Sequence, residues 1–463
     1  MINRGGADPF LWIKHRRIVN DPRAGPVSTG GNVTEEVRED TVARTGIDTS
    51  ILHKGSHSAS YFDVARAAGE GVEIVDFCIP CNPYFPTPEM FDELARDLKS
   101  ILKYYPSDSS AITKKLAAVL GLHPQTVAMA NGSTELITWI DHLLIKESVA
   151  IPIPTFGRWT DQPMETGKRV DMFPLQERDG FRLDLEEYVR FIRERKSRVA
   201  VVCNVNNPDG HYIPRRDVIR FLDALSDLDL VVVDESFIDF SDAERYPSVG
   251  PDAVIRPNAV VLKSLGKNFG LHGIRFGYML ANPAIAGKIA RMLPKWNLNS
   301  LAEKVVHMIS DHEMEYEESL RLLSRDRRSM GRELQRVQGL TVFPSQGNFF
   351  LVKLPNEWSG TALRDYLVAN HGIMTRECGN KLGMTSQFMR LVVRPAADVD
   401  RLVDGMMDYA QRFHSRSVYD SDPLESSRSR WADPTYEDQP DNLIPYPSHR
   451  AGADYTARRA AVS

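Results

Sequence analysis

The sequence predicts an α/β fold with two parts, a large domain built on a mostly parallel sheet flanked by helices and a smaller α/β domain. Three apolar runs rich in valine predict neighbouring parallel strands at residues 199–202, 231–233 and 259–262. About 30 residues separate successive runs, which leaves room for a crossover helix. Parallel sheets bind ligands beyond the carboxyl ends of their strands, so we expect a site where these runs end.

The third run leads into a glycine-rich segment that contains Lys267. A lysine amine at a strand end can hold a carbonyl compound as an imine. Arg275, eight residues later, supplies a planar fork for a phosphate, and the glycines at 270, 273 and 277 let the backbone approach a ligand closely. An imine and a phosphate together indicate pyridoxal 5′-phosphate (PLP). A surface lysine in a glycine-rich loop is the commoner meaning of such a segment when it stands alone.

Polar residues after the other two runs support the same cofactor. Asp234 follows residues 231–233, and an aspartate there can pair with the pyridinium nitrogen and keep it protonated, so that the ring withdraws electrons. Asn207 lies in a turn after residues 199–202 and can hydrogen-bond the ring hydroxyl. The order asparagine, aspartate, lysine fits one cofactor site, in which Lys267 and Asp234 are the expected catalytic residues.

Three motifs carry a resemblance to a known family. They are Val-Asn-Asn-Pro-Asp-Gly at residues 205–210, Asp-Glu-Ser-Phe at 234–237 and the segment 264–275 around the lysine. In order and spacing they resemble those of the fold type I PLP enzymes of the class I/II aminotransferase superfamily, in the branch of histidinol-phosphate aminotransferase and threonine-phosphate decarboxylase. The resemblance runs from about His53 to about Phe413. It implies a fold type I PLP-dependent transferase whose substrates are an amino acid and, in transamination, a 2-oxo acid.

The resemblance also implies which residues hold the cofactor. Residues 131–135 are similar to the helix start that binds the PLP phosphate, where free amides and the helix dipole suit an anion; an ordinary helix cap is the plain alternative. Phe156 matches the aromatic residue that stacks on the pyridine ring. Tyr84 resembles a tyrosine that reaches the phosphate of the neighbouring subunit, which implies a homodimer. The expected cofactor ligands are Tyr84, Gly132, Ser133, Thr134, Phe156, Asn207, Asp234, Ser264, Lys267 and Arg275.

Substrate-binding residues are implied near the C-terminal end of the resemblance. Arg390 looks like the arginine that clamps the substrate α-carboxylate, for which a guanidinium offers a bidentate match. Asn348 resembles the residue that lines the same corner. Arg394 is a second arginine in this stretch, a feature that looks more like threonine-phosphate decarboxylase.

Two positions depart from the pattern and bear on the reaction. Gly266 stands where relatives often carry serine or threonine, so one hydroxyl contact to the phosphate is expected to be missing. Phe237 stands where histidinol-phosphate aminotransferases usually have a tyrosine that hydrogen-bonds the ring oxygen. The sequence favours amino-group transfer, because Lys267 and Arg390 suit it, with decarboxylation of the threonine-phosphate type as the alternative. The choice depends on which bond at Cα is perpendicular to the cofactor ring, which the sequence does not report.

Composition argues against several other classes of protein. The net charge of -5 argues against a nucleic-acid partner, and no stretch approaches the roughly 18 apolar residues that span a bilayer. The start of the chain lacks a signal-peptide pattern and the chain has only four cysteines, so the cytoplasm is the expected compartment. Cys78 and Cys81 lack a second pair or a histidine set to complete a metal site, so no metal is expected.

A non-enzymatic alternative is a ligand-sensing module, since fold type I domains also occur attached to DNA-binding domains. The first 50 residues are too short and too irregular for a helix-turn-helix. A P-loop interpretation of Lys267 fails because no glycine stands five residues before Gly266, and Asn268 replaces the required serine or threonine. We therefore expect an enzyme.

The predicted organisation has four parts. Residues 1–50 form an N-terminal extension, residues 85–310 the large PLP-binding domain, residues 51–84 with 311–413 the small domain, and residues 414–463 a C-terminal tail. The tail lacks the apolar area needed to offset chain entropy, so it is expected to be disordered.

Overall fold

The structure, a computed structural model, describes residues 44–53 and 59–419, with side chains through residue 412. The predicted extension up to residue 43 and the predicted tail beyond residue 419 lie outside the described residues. The strands in chain order are β1 (Val75–Asp76), β2 (Val127–Ala130), β3 (Ser148–Ile153), β4 (Arg169–Pro174), β5 (Val199–Cys203), β6 (Leu230–Asp234), β7 (Ala259–Ser264), β8 (Gly277–Ala281), β9 (Thr341–Val342), β10 (Phe349–Lys353), β11 (Ile373–Met374), β12 (Arg376–Glu377) and β13 (Phe388–Val392).

Helices occupy much of the chain between these strands. They are α1 (Tyr61–Ala67), α2 (Pro88–Lys103), α3 (Ser109–Val119), α4 (Ser133–Leu144), α5 (Arg158–Glu165), α6 (Leu185–Arg195), α7 (Arg215–Ala224), α8 (Gly250–Ala253), α9 (Leu265–Asn268), α10 (Pro283–Ala290), α11 (Ser300–Ile309), α12 (Glu313–Leu334), α13 (Gly360–His371) and α14 (Ala396–Tyr419). The last of them ends inside the predicted tail. No helix among the described residues is both long and apolar enough to cross a membrane.

A seven-stranded sheet forms the centre of the fold, in the order β2-β8-β7-β6-β5-β3-β4. Strand β8 runs antiparallel to β2 and β7, whereas the other neighbours are parallel. Every residue of β5, β6 and β7 is buried, because helices cover both faces of the sheet and valine-rich strands can then be apolar throughout. The predicted α/β fold with a mostly parallel sheet is confirmed.

The register of the three central strands sets the position of the site. Cys203 pairs with Asp234, and Asp234 pairs in turn with Leu262, so the carboxyl ends of β5, β6 and β7 lie side by side. The turn that carries Asn207 and the helix that carries Lys267 follow directly from β5 and β7. Residues far apart in sequence therefore meet at one edge, as the strand spacing predicted.

A second set of strands follows residue 310. Four strands pair antiparallel in the order β12-β13-β10-β9, and β1 pairs parallel with β11. Their apolar side chains share a core with helices α12, α13 and α14. The pairing of β1 with β11 joins the segment before residue 84 to the C-terminal part of the chain. The domain boundaries at residues 84 and 310 stay a prediction.

Candidate active site

The carboxyl edge of the large sheet encloses a cavity of about 190 Å³. Most of the predicted cofactor ligands line it, namely Gly132, Ser133, Thr134, Phe156, Ser264, Lys267 and Arg275. Gly266, His272 and Phe276 complete the lining. The structure thus gathers in one place residues that come from α4, from the segment after β3, and from β7 and the turns that follow it.

One end of the cavity is built to hold an anion. Helix α4 begins directly after Gly132, and its first amides face the guanidinium of Arg275. A Cβ on Gly132 would lie 2.8 Å from Nη2 of Arg275, and one on Gly277 would lie 2.4 Å from the Ser133 nitrogen, so both positions require glycine. Among the described residues, the hydrogen bond of the Arg275 guanidinium is a long one, 3.5 Å from Nη1 to His272 O in its own turn. A cation beside the N-terminal amides of a helix suits a phosphate.

Lys267 lies at the other side of this cavity, on the short helix α9. Its Nζ is 5.0 Å from the centroid of the Phe237 ring. Burial lowers the pKa of the Lys267 amine to about 8, with Arg275 and Arg390 acting in the same direction and Asp234 opposing them. At pH 7 roughly a tenth of the molecules then carry the neutral amine, far more than for an ordinary lysine, and the neutral amine is the form that attacks a carbonyl group.

The backbone of Lys267 is fixed by a segment from early in the chain. Asn82 donates from its backbone nitrogen to Lys267 O at 3.2 Å and from Nδ2 to Asn268 O at 3.1 Å. Gly270 has a positive φ of 64°, and a Cβ there would lie only 2.0 Å from Phe85 O. Only glycine allows this close approach, which holds the lysine helix against residues 82–85.

Asp234 is buried at the end of β6, with both carboxylate oxygens occupied. Its Oδ2 accepts from Nε1 of Trp159 at 2.9 Å, and its Oδ1 accepts from the Ser236 nitrogen at 3.0 Å. These two donors fix the orientation of the carboxylate. Trp159 is fully buried and was not among the predicted site residues.

The predicted substrate clamp lies beside the predicted cofactor ligand Asn207. Arg390 donates from Nη1 to Asn207 Oδ1 at 2.8 Å and from Nη2 to Cys78 O at 2.5 Å. Its Nε has no hydrogen-bond partner among the described residues, and burial lowers the pKa of the guanidinium. The amide of Asn348 is fully buried, and neither its oxygen nor its nitrogen has a partner in that part of the chain. Buried polar atoms without partners mark a place where a polar ligand is expected.

Two predicted residues lie outside this constellation. The Tyr84 hydroxyl donates to Asp326 of its own chain. Arg394 forms an ion pair with Asp398, 2.9 Å from Nε and 2.8 Å from Nη2. Neither Tyr84 nor Arg394 lines the cavity, and their roles toward a partner subunit or a substrate stay predictions.

Two further basic residues near the site were not predicted from the sequence. His272 lines the cavity five residues after Lys267, and its position within the lysine motif could have indicated this. Lys381 donates from Nζ to Thr155 O at 3.1 Å, next to the residue predicted to stack on the cofactor. Burial lowers the pKa of Lys381 to about 8, and the nearby charge of Arg390 adds to this effect. No motif in the sequence pointed to Lys381.

These residues fit PLP. The anion cradle at Gly132 and Arg275 matches its phosphate, the neutral amine of Lys267 matches its aldehyde, and Asp234 offers a fixed carboxylate for the ring nitrogen. Fold and site together define a fold type I PLP-dependent enzyme. The family model of aminotransferase class I and II matches residues 72–406, more than half of the chain, and the chain belongs to this family.

Comparison with known proteins supports this assignment. The chain is 29% identical over 369 residues to an L-serine phosphate decarboxylase of Campylobacter jejuni, which covers 76% of this chain and 93% of the relative. It is similar to the solved structure of a decarboxylase from Sulfurospirillum multivorans, with 29% identity, a TM-score of 0.69 and coverage of 76% and 92% of the two chains. The histidinol-phosphate aminotransferase from Sinorhizobium meliloti, solved with PLP, shares the fold at 20% identity, a TM-score of 0.67 and coverage of 80% and 98%.

Proposed function

We propose that the chain is a PLP-dependent decarboxylase of an amino acid that carries a phosphate group. The observation that carries this proposal is an excess of positive charge at the substrate corner. Arg390 alone can bind one α-carboxylate through two parallel hydrogen bonds. Arg376 is its direct cross-strand partner, and both arginines lie close enough to Lys381 for their charges to lower the pKa of its amine. Three cations around one substrate favour a second anionic group on it.

The polar space near Arg390 is large enough for that second group. Cys78, whose carbonyl accepts from Arg390, also lines a second cavity of about 210 Å³. Basic side chains in its lining are His53, Arg364 and Arg376. Arg376 donates from Nη2 to Asn380 at 2.7 Å, which holds its guanidinium in this region. A phosphate on the side chain of the substrate suits such a lining better than an apolar group does.

Each residue of the site then has a task in the reaction. When bound, PLP supplies an electron-withdrawing ring that takes up the electron pair left at Cα. With PLP bound, Asp234 would face the ring nitrogen, and Nδ2 of Asn207 would be the donor toward the ring hydroxyl, because its Oδ1 already accepts from Arg390. Lys267 Nζ would hold the aldehyde group, and it is the amine that would return a proton to Cα. Arg390 binds the α-carboxylate and fixes the bond that breaks.

Two similarities support decarboxylation over transfer. The relative from Campylobacter jejuni is named for decarboxylation of L-serine phosphate, and the solved structure at 29% identity is a decarboxylase. Phe237, whose ring contacts Lys267 Nζ, lacks the hydroxyl of the tyrosine that histidinol-phosphate aminotransferases usually have at this position. The second candidate is transamination, the reaction that the sequence alone favoured, here with a phosphorylated amino acid. The family and the combination of Lys267 with a carboxylate clamp suit it equally.

An incubation with and without a 2-oxo acid separates the two candidates. Purified protein is loaded with PLP and given O-phospho-L-serine or O-phospho-L-threonine, with the unphosphorylated amino acids as controls. Release of carbon dioxide and a phosphorylated amine without a 2-oxo acid supports the decarboxylase. Formation of a 2-oxo product only when 2-oxoglutarate is present supports the transferase instead. Turnover of unphosphorylated amino acids at equal rates would contradict a role for the phosphate.

A further inference from the structure

We propose that His272 is a ligand of the cofactor phosphate, in the place of the hydroxyl that Gly266 lacks. This inference concerns cofactor binding and goes beyond the proposed reaction, since a decarboxylase and a transferase would use it equally. It rests on the position of the imidazole, on the absence of a side chain at residue 266 and on the hydrogen bonds of the ring.

His272 and Gly266 belong to the same wall of the cavity. Both line it together with Ser133, Ser264 and Arg275, the residues at its anion-binding end. A Cβ on Gly266 would lie 3.1 Å from Leu271 O and 3.3 Å from the Cα of His272, so the two positions are in direct contact. The chain therefore has no hydroxyl at residue 266 and has a histidine at a neighbouring point of the same cavity.

The hydrogen bonds of the ring determine which nitrogen is available. Nε2 of His272 is 3.2 Å from the Pro80 carbonyl oxygen. A carbonyl oxygen only accepts, so Nε2 carries a proton. Nδ1 has no hydrogen-bond partner among the described residues, and His272 lines the cavity. One nitrogen thus fixes the imidazole to the segment before Asn82, and the other remains free for a ligand.

The charge around the ring explains why an anion is the ligand that suits it. Burial first and then the positive charges of Lys267, Arg275 and Arg390 lower the pKa of His272 to about 4, while the hydrogen bond to the Pro80 carbonyl opposes them. A phosphate offsets this positive charge. A hydrogen bond between Nδ1 and a phosphate oxygen needs one proton, carried either by Nδ1 or by the phosphate oxygen. In both cases solvent supplies that proton.

The first experiment compares PLP with pyridoxal, which lacks the phosphate. His272→Phe should weaken PLP binding roughly ten- to a hundredfold, the size expected for a hydrogen bond to a charged group, and should leave pyridoxal binding within about twofold. The matched control is His307→Phe, because His307 is half-exposed on α11 and away from the cavity. An equal loss for both ligands, or no loss for PLP, would overturn the proposal.

The second experiment uses the loaded enzyme and does not depend on turnover. The phosphorus-31 resonance of bound PLP should move in His272→Phe and stay unchanged in His307→Phe. If His272→Phe fails to fold, His272→Gln keeps a donor at this position and should retain PLP affinity within about fivefold, whereas His272→Ala should lose it.

A rescue variant tests the exchange of hydroxyl for imidazole directly. Gly266→Ser combined with His272→Ala should recover at least about half of the lost binding free energy for PLP, because it restores a hydroxyl at the phosphate. The proposal would be contradicted if this double variant did not recover PLP binding and the phosphorus-31 resonance did not move in His272→Phe. A protein that binds PLP through His272 but releases no carbon dioxide would contradict the proposed reaction and leave this inference intact.

Discussion

Nη1 of Arg390 donates to Oδ1 of Asn207 across 2.8 Å, although 183 residues separate them along the chain. The bond joins the second set of strands to the turn after β5, and so joins the predicted substrate clamp to the predicted cofactor ligand. Because the guanidinium occupies the amide oxygen, the amide nitrogen of Asn207 is left as a donor. The predicted substrate clamp and the predicted cofactor ligand are therefore joined by one hydrogen bond.

Arg390→Lys keeps the positive charge and removes the planar fork. We expect substrate affinity to fall by roughly 2 to 5 kcal/mol, because the clamp is buried and its partner amide loses a donor. The control is Arg336→Lys, since Arg336 is half-exposed and paired with Glu333. Isothermal titration with a non-reactive substrate analogue measures both. Equal affinities for the wild type and Arg390→Lys would exclude Arg390 as the clamp.

Lys267 should bind the cofactor covalently, with a distinctive dependence on pH. Burial holds the pKa of its amine at about 8, so the fraction of neutral amine rises about tenfold per pH unit below that value and levels off above it. The rate at which PLP is incorporated should follow this curve. Borohydride reduction followed by peptide mapping should place the pyridoxyl mass on Lys267. Label on Lys381, the other buried amine with a lowered pKa, would refute the assignment.

Asp234→Asn should lower turnover by at least about two powers of ten while PLP still binds, because a neutral amide cannot stabilise a protonated ring nitrogen. The amide would also place a donor against Trp159 Nε1 or the Ser236 nitrogen. Trp159→Phe separates the two effects, since it removes a hydrogen bond and retains the charge. Turnover in Trp159→Phe should fall less than in Asp234→Asn. A reversed order in single-turnover rates would show that orientation matters more than charge.

Lys381→Met should reduce activity toward phosphorylated amino acids more than toward their unphosphorylated counterparts. The expected change in this preference is about tenfold, the effect of losing one charge-assisted hydrogen bond. Lys353→Met is the matched control, because Lys353 forms an exposed ion pair with Glu177. The ratio of kcat/KM values for O-phospho-L-serine and serine gives the answer. A uniform loss for both substrates would assign Lys381 to folding and not to specificity.

The homodimer predicted from the sequence can be tested through Tyr84. Light scattering should give twice the mass of the chain for the wild type and for Tyr84→Phe. Because the hydroxyl donates to Asp326 within its own chain, we expect this variant to lose about 1 kcal/mol of folding stability and to retain its affinity for PLP. Weaker PLP binding in Tyr84→Phe would instead favour the contact across the subunit interface.

Sequence patterns predicted which strand ends lie side by side, whereas the roles of the residues there stay predictions. Asn207, Asp234 and Lys267 follow valine-rich strands whose register brings their ends together, so strand spacing was sufficient to predict their meeting. Trp159 could not be predicted in this way, because its donation to Asp234 depends on how α5 packs across the sheet. Lys381 reaches Thr155 from a loop 226 residues later, and no local periodicity encodes such a contact.

The contact between residues 82–85 and helix α9 affects the order in which parts of the site can form while the chain is being translated. Asn82 leaves the ribosome well before Asn268, its partner 186 residues later, so its side chain lacks this acceptor until Asn268 has been made. The phosphate cradle is complete once Arg275 and the strand after it have emerged, but Arg390 is still unmade. A nascent chain can therefore assemble its anion site while the carboxylate clamp does not yet exist, and productive substrate binding begins only when β13 has joined the fold.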